Sequence, residues 1–130
     1  MTCNARAAEK ITAFKQLHSW QKARELSTFI YKVTKQFPSE ERFGLQSQIR
    51  RSVVSVAANI AEGFSRRGSK DKIQFYSISL GSLTETLSHA YIAIDLGFIL
   101  GEELAMIEQD VETLHKMING LIKNAPERNT

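Results

Sequence analysis

The chain has 130 residues, of which 42% are hydrophobic and 24% are charged, ordinary values for a single globular domain. No apolar run approaches the length of a membrane span, and Met1 to Lys15 lack the apolar core of a secretory signal. The lone Cys3 excludes an intramolecular disulfide, so we expect a cytoplasmic protein without membrane contact.

The net charge of +3 hides an uneven distribution along the chain. Residues 1–72 carry 14 basic and 6 acidic side chains, whereas residues 73–130 carry 3 basic and 8 acidic ones. Such a division is typical of a basic face for a polyanion, or of two faces that attract each other in an assembly. Pairing of basic helices 1 and 2 with acidic helix 4 inside the fold would give the same pattern.

The spacing of apolar residues predicts two helices in the first half of the chain. Helix 1 follows Ser19 as its N-cap and ends at Phe37-Pro38, because the residue before proline is disfavoured in a helix. Ser39 is the candidate N-cap of helix 2, although Gly44 leaves its start open by several residues, and the helix extends to about Phe64.

Two further helices follow in the second half. Ser69 caps helix 3, and Leu96-Gly97 ends it with a glycine just past the last turn. Helix 4 runs from near Gly101 to Lys123. Short connections and the lack of strand alternation predict an all-α, up-down-up-down antiparallel four-helix bundle over residues 17–123. Residues 1–16 and 124–130 are then flexible tails.

Helix 2 carries two stripes at helical spacing. The apolar stripe faces the core and consists of Leu45, Ile49, Val53, Val56, Ile60 and Phe64. A second stripe of mostly short polar side chains consists of Gln48, Ser52, Ser55, Asn59, Glu62 and Arg66. Such a face either lines a channel or lets a second helix approach closely.

Apolar and small residues also lie beside the core stripes of helices 2 and 3. They are Val54, Ala57, Ala61, Phe75, Ile78, Ser82, Ala93 and Leu96. Because these flanks would be exposed unless another subunit covered them, we predict a homo-oligomer. The alternative is a compact bundle that buries both flanks itself.

Several short motifs connect this chain to a known family. They are Trp20 to Ala23, Phe37-Pro38, Glu41, Gly44-Leu45, Gln48 to Arg51, Ser55, Asn59 to Gly63, Gly81-Ser82 and Glu85. With these motifs the chain resembles the four-helix-bundle proteins encoded in intervening sequences of 23S ribosomal RNA genes. The resemblance covers about residues 17–122 and implies a ring-like pentamer. It also implies kinship with the accessory variability protein of diversity-generating retroelements, a basic pentamer that binds nucleic acid and works with a reverse transcriptase.

The residues predict no catalytic, metal, cofactor or small-molecule site. His18, His89 and His115 lack the paired spacing of zinc ligands, although His89 and His115 could face each other across helices 3 and 4. Ser69-Lys70 after Gly68 reverses the order of a phosphate-binding loop. We therefore expect a protein that is not an enzyme.

Asn59 and Glu62 form the most suggestive polar pair. They either belong to a polar site in which Arg66 orients Glu62, or they fix the register of neighbouring helices, which we favour. The predicted structural network consists of Gln48, Ser55, Asn59, Glu62, Ser82 and Glu85. Gly81-Ser82 predicts a close helix crossing, because glycine inside a helix costs about 1 kcal/mol relative to alanine and close packing would explain its presence.

Basic side chains on helix 2 and the turn after it predict a nucleic-acid-binding surface. They are Arg42, Arg50, Arg51, Arg66, Arg67, Lys70 and Lys72. Only Phe64 is close by for base stacking, so we expect contacts to the backbone and shape of structured RNA or DNA. A scaffold for a protein partner, without nucleic-acid binding, is the alternative.

Overall fold

The computed structural model describes residues 11–125, and all regular structure in that range is helical. The four main helices are α1 (His18–Thr34), α2 (Leu45–Ser65), α3 (Ser69–Asp95) and α4 (Gly101–Lys123). Each helix packs against the next one and α1 packs against α4, with the most extensive contact between α2 and α3. The all-α bundle class is confirmed. Within the described range, no helix is long and apolar enough to cross a membrane.

The predicted apolar stripes meet in one core. Its fully buried large side chains come from all four helices and include Leu26, Ile30, Ile49, Val53, Ile60, Leu83, Ile107 and Leu114. Apolar spacing in α3 predicts a core face that includes Ile73, Tyr76 and Leu83, but Ile73 lies exposed while Tyr76, one turn later, is buried. The core therefore begins one turn further into α3 than the apolar spacing indicates.

The starts of α1 and α2 both differ from expectation. The first residue of α1 is His18 and the N-cap position is Leu17, so the predicted Ser19 cap is wrong. Ser19 is buried in the first turn, and its hydroxyl has no hydrogen-bond partner among the described residues. A 3-10 turn at Ser39–Glu41 precedes α2, whose start is capped instead by the Glu41 carboxylate, which accepts a hydrogen bond from the Leu45 amide at 2.9 Å.

The end of α3 follows the prediction. Gly97 has a φ of 78°, in the left-handed region that glycine adopts without strain. The Phe98 amide donates to the Ala93 carbonyl at 2.9 Å, and the Gly97 amide donates to the Ile94 carbonyl at 3.0 Å. This pair of bonds is the Schellman motif, which satisfies the last carbonyls of the helix.

The described part of the predicted N-terminal tail is partly ordered against the bundle. Phe14–Gln16 form a 3-10 turn that contacts α1 and α2, and the Phe14 ring meets the Trp20 ring edge-on at 5.1 Å. This turn therefore packs on the bundle ahead of α1. Residues 1–10, with Cys3, and residues 126–130 lie outside the described range.

Candidate nucleic-acid interface

The short polar stripe of α2 packs against α3 inside the chain. The hydroxyls of Ser55 and Ser82 lie 2.8 Å apart, and the Ser79 hydroxyl donates to the Val56 carbonyl at 2.8 Å. Small hydroxyl side chains allow the two helices to approach and keep their own polar groups paired. Of the two interpretations of this stripe, the geometry of these side chains supports close approach of a second helix.

The six residues of the predicted structural network do not form one connected set. Asn59 donates to the Ser55 carbonyl and hydroxyl, both at 2.9 Å, and thereby extends the Ser55–Ser82 contact. Glu62 is exposed and pairs with Arg66 instead. Gln48 and Glu85 line a cavity of about 260 Å³ at the edge of the same α2–α3 boundary. The geometry thus joins Asn59 to α3 through Ser55 and leaves Glu62 in an ion pair on its own helix.

The close helix crossing occurs at a different glycine from the predicted one. A Cβ atom at Gly81 would meet no atom within 4 Å, so Gly81 makes no crossing within this chain. At Gly63 a Cβ atom would lie 2.5 Å and 2.7 Å from two atoms of the Tyr76 ring. Gly63 is therefore the position where α2 and α3 approach too closely for a side chain, and of the predicted Gly81-Ser82 pair only Ser82 lies at the contact of α3 with α2.

The seven predicted basic residues fall into two groups at opposite ends of α2. Arg42, Arg50 and Arg51 lie at its N-terminal end, and the others lie at or beyond its C-terminal end. Arg51 and Arg66 are separated by a distance on the order of 20 Å along the helix, at about 1.5 Å per residue. The two groups therefore belong to separate surfaces, and each has its own neighbours.

Lys72 has a structural position in the C-terminal group. Its side chain is buried, with the residue only 3% exposed, and its ammonium group donates to the carbonyls of Gly63 at 3.2 Å and Phe64 at 2.9 Å. These carbonyls end α2, so the lysine satisfies acceptors that the helix leaves open. A buried ammonium group with these partners does not reach a phosphate in solution, and Lys72 is a correction to the predicted surface.

The other basic residues of the C-terminal group, Arg66, Arg67 and Lys70, also have neighbours that reduce their availability to a ligand. Arg66 forms an ion pair with Glu62 at 2.8 Å, and its guanidinium lies 4.6 Å from the centre of the Phe75 ring. Arg67 and Lys70 are exposed, and the acidic Asp71 is exposed beside them. Two local carboxylates thus offset much of the positive charge at this end.

The N-terminal group lies in a groove between the end of α1 and the start of α2. The groove has a volume of about 660 Å³, and no carboxylate is among its lining residues in the described part of the chain. Four cationic and two exposed aromatic side chains define what we term the basic groove: Lys35, Arg42, Arg50, Arg51, Tyr31 and Phe43. Concentrated positive charge with aromatic neighbours is the arrangement that nucleic-acid-binding surfaces use.

Arg50 fixes the geometry of the basic groove. Its Nε donates to the Thr34 hydroxyl at 2.8 Å, and its Nη2 donates to the Tyr31 carbonyl at 3.2 Å. The guanidinium also lies 4.4 Å from the centre of the Tyr31 ring. The Gln46 amide group adds a bond to the Thr34 carbonyl at 2.9 Å. The start of α2 is therefore bonded to the last turn of α1, and the groove has a fixed wall.

Phe43 is the residue of this groove that the sequence interpretation missed most clearly. It is 88% exposed, the highest value among the large hydrophobic side chains in residues 11–125. Tyr31 and Lys35 were also missed, because they lie one turn apart at the end of a different helix. A usable signal was present at Arg42-Phe43-Gly44, where an aromatic residue beside an arginine belongs to no apolar stripe.

The acidic half of the chain makes mostly local contacts. Lys22 donates to Asp110 at 3.0 Å and links α1 to α4, and this hydrogen bond raises the pKa of Lys22. His89 contacts Glu85 at 3.3 Å and His115 contacts Asn119 at 3.1 Å, so each histidine pairs on its own helix. Pairing inside the fold therefore accounts for only part of the uneven charge distribution.

Comparison with known proteins places the chain in a family. A model of the family described as 23S rRNA-intervening sequence protein matches residues 15–120. The chain is also similar to a solved structure from Bacteroides thetaiotaomicron, a protein of unknown function from the S23 ribosomal protein family. The TM-score is 0.75 and the sequence identity 26%, over 82% of this chain and 99% of that chain. No curated protein matches this chain at a significant level. Because the family model spans most of its length, the chain belongs to the 23S rRNA-intervening sequence protein family.

Proposed function

We propose that this protein binds RNA or DNA through the basic groove and acts in the cytoplasm without catalysing a reaction. The observation that carries the proposal is the convergence of Lys35, Arg42, Arg50 and Arg51 around one groove without a carboxylate among its lining residues in the described chain. Phosphate groups suit such a cluster, since guanidinium groups bind them with paired hydrogen bonds. Contacts of this kind position the nucleic acid without reading its sequence.

The uneven charge distribution along the chain also favours binding of a polyanion at the basic groove. The groove lies on the basic half of the chain, whereas α4 exposes Glu102, Glu108 and Glu112 on the acidic half. A polyanion is therefore attracted to the groove and repelled by the exposed carboxylates of α4. Such a field accelerates association at low ionic strength and weakens as salt screens it.

The proposal includes an up-down-up-down antiparallel bundle that assembles as a homo-oligomer, in the form of a ring-like pentamer. Support comes from the exposed apolar side chains Val54, Ile78 and Leu96, three of the residues expected at a subunit contact. Two others, Ser82 and Ala93, are buried inside the chain, so the contact is narrower than expected. Repetition of the groove around a ring would raise the affinity for a long nucleic acid without any new contact.

The test is the fluorescence anisotropy of a labelled structured rRNA fragment, titrated with protein at several salt concentrations. We expect the affinity to fall with salt along a log–log line whose slope is about 0.7 to 0.9 per phosphate contact. The double substitution Arg42→Ala with Arg51→Ala should lower both the affinity and the slope. Arg67→Ala with Lys70→Ala is the matched control, since it removes the same charge at the far end of α2.

The outcome also decides between the two candidate functions. If the control variant lost more affinity for the RNA than the groove variant, the interface would lie at the C-terminal end of α2. If the wild-type protein binds no RNA or DNA at low salt, the proposal is wrong. The protein would then be a scaffold, and a partner that remains bound after nuclease treatment would be the result to seek.

A further inference from the structure

We propose that the basic groove holds an unpaired nucleotide, with its base stacked on Phe43 and its phosphates bound by Arg42 and Arg51. This inference rests on the proposed nucleic-acid binding and names the class of ligand, which is a single-stranded segment or a loop and not a continuous duplex. The base of a paired nucleotide has both faces covered by its neighbours in the stack. An unpaired base can leave that stack and lie against an aromatic side chain.

The exposure of Phe43 carries the first step. A phenylalanine in the connection between two helices gains no stability from the core when it is 88% exposed. The residues two positions before and after it have other contacts, because the Glu41 carboxylate caps α2 and Leu45 packs against the core. The ring therefore remains at the edge of the groove as an accessible flat surface.

The second aromatic residue has a different role. Tyr31 already has the Arg50 guanidinium against its ring at 4.4 Å, so that contact occupies one of its faces. Arg50 is itself bonded to Thr34 and to the Tyr31 carbonyl. Tyr31 and Arg50 therefore form the wall of the groove, and they leave Phe43 as the residue that can stack with a base.

The size and charge of the groove fit a nucleotide. Its volume of about 660 Å³ falls in the range of pockets that bind small organic ligands. Arg42 is adjacent to Phe43 in the chain, and both Arg42 and Arg51 are exposed along the same groove. A base on the ring would thus have its flanking phosphates close to two guanidinium groups.

The first experiment compares a labelled 12-nucleotide single strand with a duplex of the same length, using anisotropy at low salt. We expect tighter binding of the single strand by the wild-type protein. Phe43→Ala should weaken binding of the single strand about 5- to 160-fold, which is the loss of one stacked base worth about 1–3 kcal/mol. Phe43→Tyr should retain most of the affinity, because its ring still stacks.

The salt dependence separates stacking from charge. Phe43→Ala should leave the slope of affinity against salt unchanged, whereas Arg42→Ala should reduce it by about one phosphate contact. Met106→Ala is the matched control, because it shortens an exposed apolar side chain on α4, which belongs neither to the groove nor to the expected subunit contact. The thermal midpoint of each variant confirms that it is folded.

The inference and the proposed function can fail separately. If Phe43→Ala binds the single strand like the wild type while Arg42→Ala with Arg51→Ala binds weakly, the stacking proposal is wrong and nucleic-acid binding stands. Equal affinity for duplex and single strand, insensitive to Phe43, leads to the same conclusion. Absence of all binding by the wild-type protein overturns both.

Discussion

The hydroxyl oxygens of Ser52 and Thr86 lie 2.8 Å apart across the boundary between α2 and α3. Each hydroxyl also faces a carbonyl on its own helix, Ser52 that of Ile49 at 3.0 Å and Thr86 that of Ser82 at 2.9 Å. Each hydroxyl has one hydrogen atom, so two hydrogen atoms serve three contacts. The bond between the helices therefore exists only when one of the two hydroxyls gives up its carbonyl.

This exchange makes the two residues energetically coupled. We expect Ser52→Ala and Thr86→Val each to lower the free energy of unfolding by about 1 kcal/mol. The double variant should lose clearly less than the sum, since replacing both partners leaves no unpaired hydroxyl. Urea unfolding at fixed protein concentration measures the three values. Strict additivity would show that the contact between the helices contributes nothing.

Gly63 and Gly81 should respond in opposite directions to the same substitution. Gly63→Ala places a methyl group against the Tyr76 ring and should destabilise the protein by about 1–3 kcal/mol. Gly81→Ala meets open space in a helix and should stabilise it by about 0.5–1 kcal/mol. Thermal unfolding of both variants provides the comparison. A loss at Gly81 as large as that at Gly63 would indicate that another subunit packs against Gly81.

Lys72 should affect stability and not nucleic-acid binding. Lys72→Met keeps the long apolar stem but removes the donor to the Gly63 and Phe64 carbonyls, so we expect a loss of about 1–3 kcal/mol. Lys70→Met, at an exposed neighbouring position, should change stability by less than about 0.5 kcal/mol. Chemical unfolding tests both. A lower slope of affinity against salt in Lys72→Met would contradict the structural role.

Arg50 and Arg51 offer a test of the groove wall with adjacent residues. Arg50→Lys retains the charge but loses the fork that bonds Thr34 and the Tyr31 carbonyl, and it should cost about 1 kcal/mol of stability. Arg51→Lys should have almost no effect on stability, because Arg51 is exposed. Comparison of the unfolding midpoints of the two variants with that of the wild type tests this difference in stability. Equal midpoints would mean that the contacts of Arg50 do not hold α1 and α2 together.

Helix spacing predicted most of the fold because burial of apolar side chains decides it. The stripe from Ile49 to Ile60 is buried, and Gly97 ends α3 as its left-handed conformation requires. Capping at Ser19 could not be predicted in this way, because a serine that fits a cap also fits a buried first turn. Which of Gly63 and Gly81 lies against a neighbouring ring depends on packing that a glycine in a sequence does not reveal.

The candidate site was predictable only in part, since its residues come from separate segments. Arg42, Arg50 and Arg51 follow from the basic composition of helix 2. The basic groove also needs Tyr31 and Lys35, whose position depends on how the end of α1 is rotated toward α2. No local sequence pattern predicts the orientation of α1 relative to α2, because long-range packing of the two helices determines it.

The contacts of α2 on two sides limit how its sequence can change. One side is in the core and another lies against α3, so α2 behaves as an interior helix although it belongs to a small bundle. Its exposed positions form one narrow strip: Gln48, Arg51, Val54, Ala58, Glu62 and Ser65. The fold of the single chain should therefore tolerate substitution along α2 mainly in this strip. If a second subunit covered this strip, no face of α2 would remain in solvent, and the sequence of α2 would be the most constrained part of the protein.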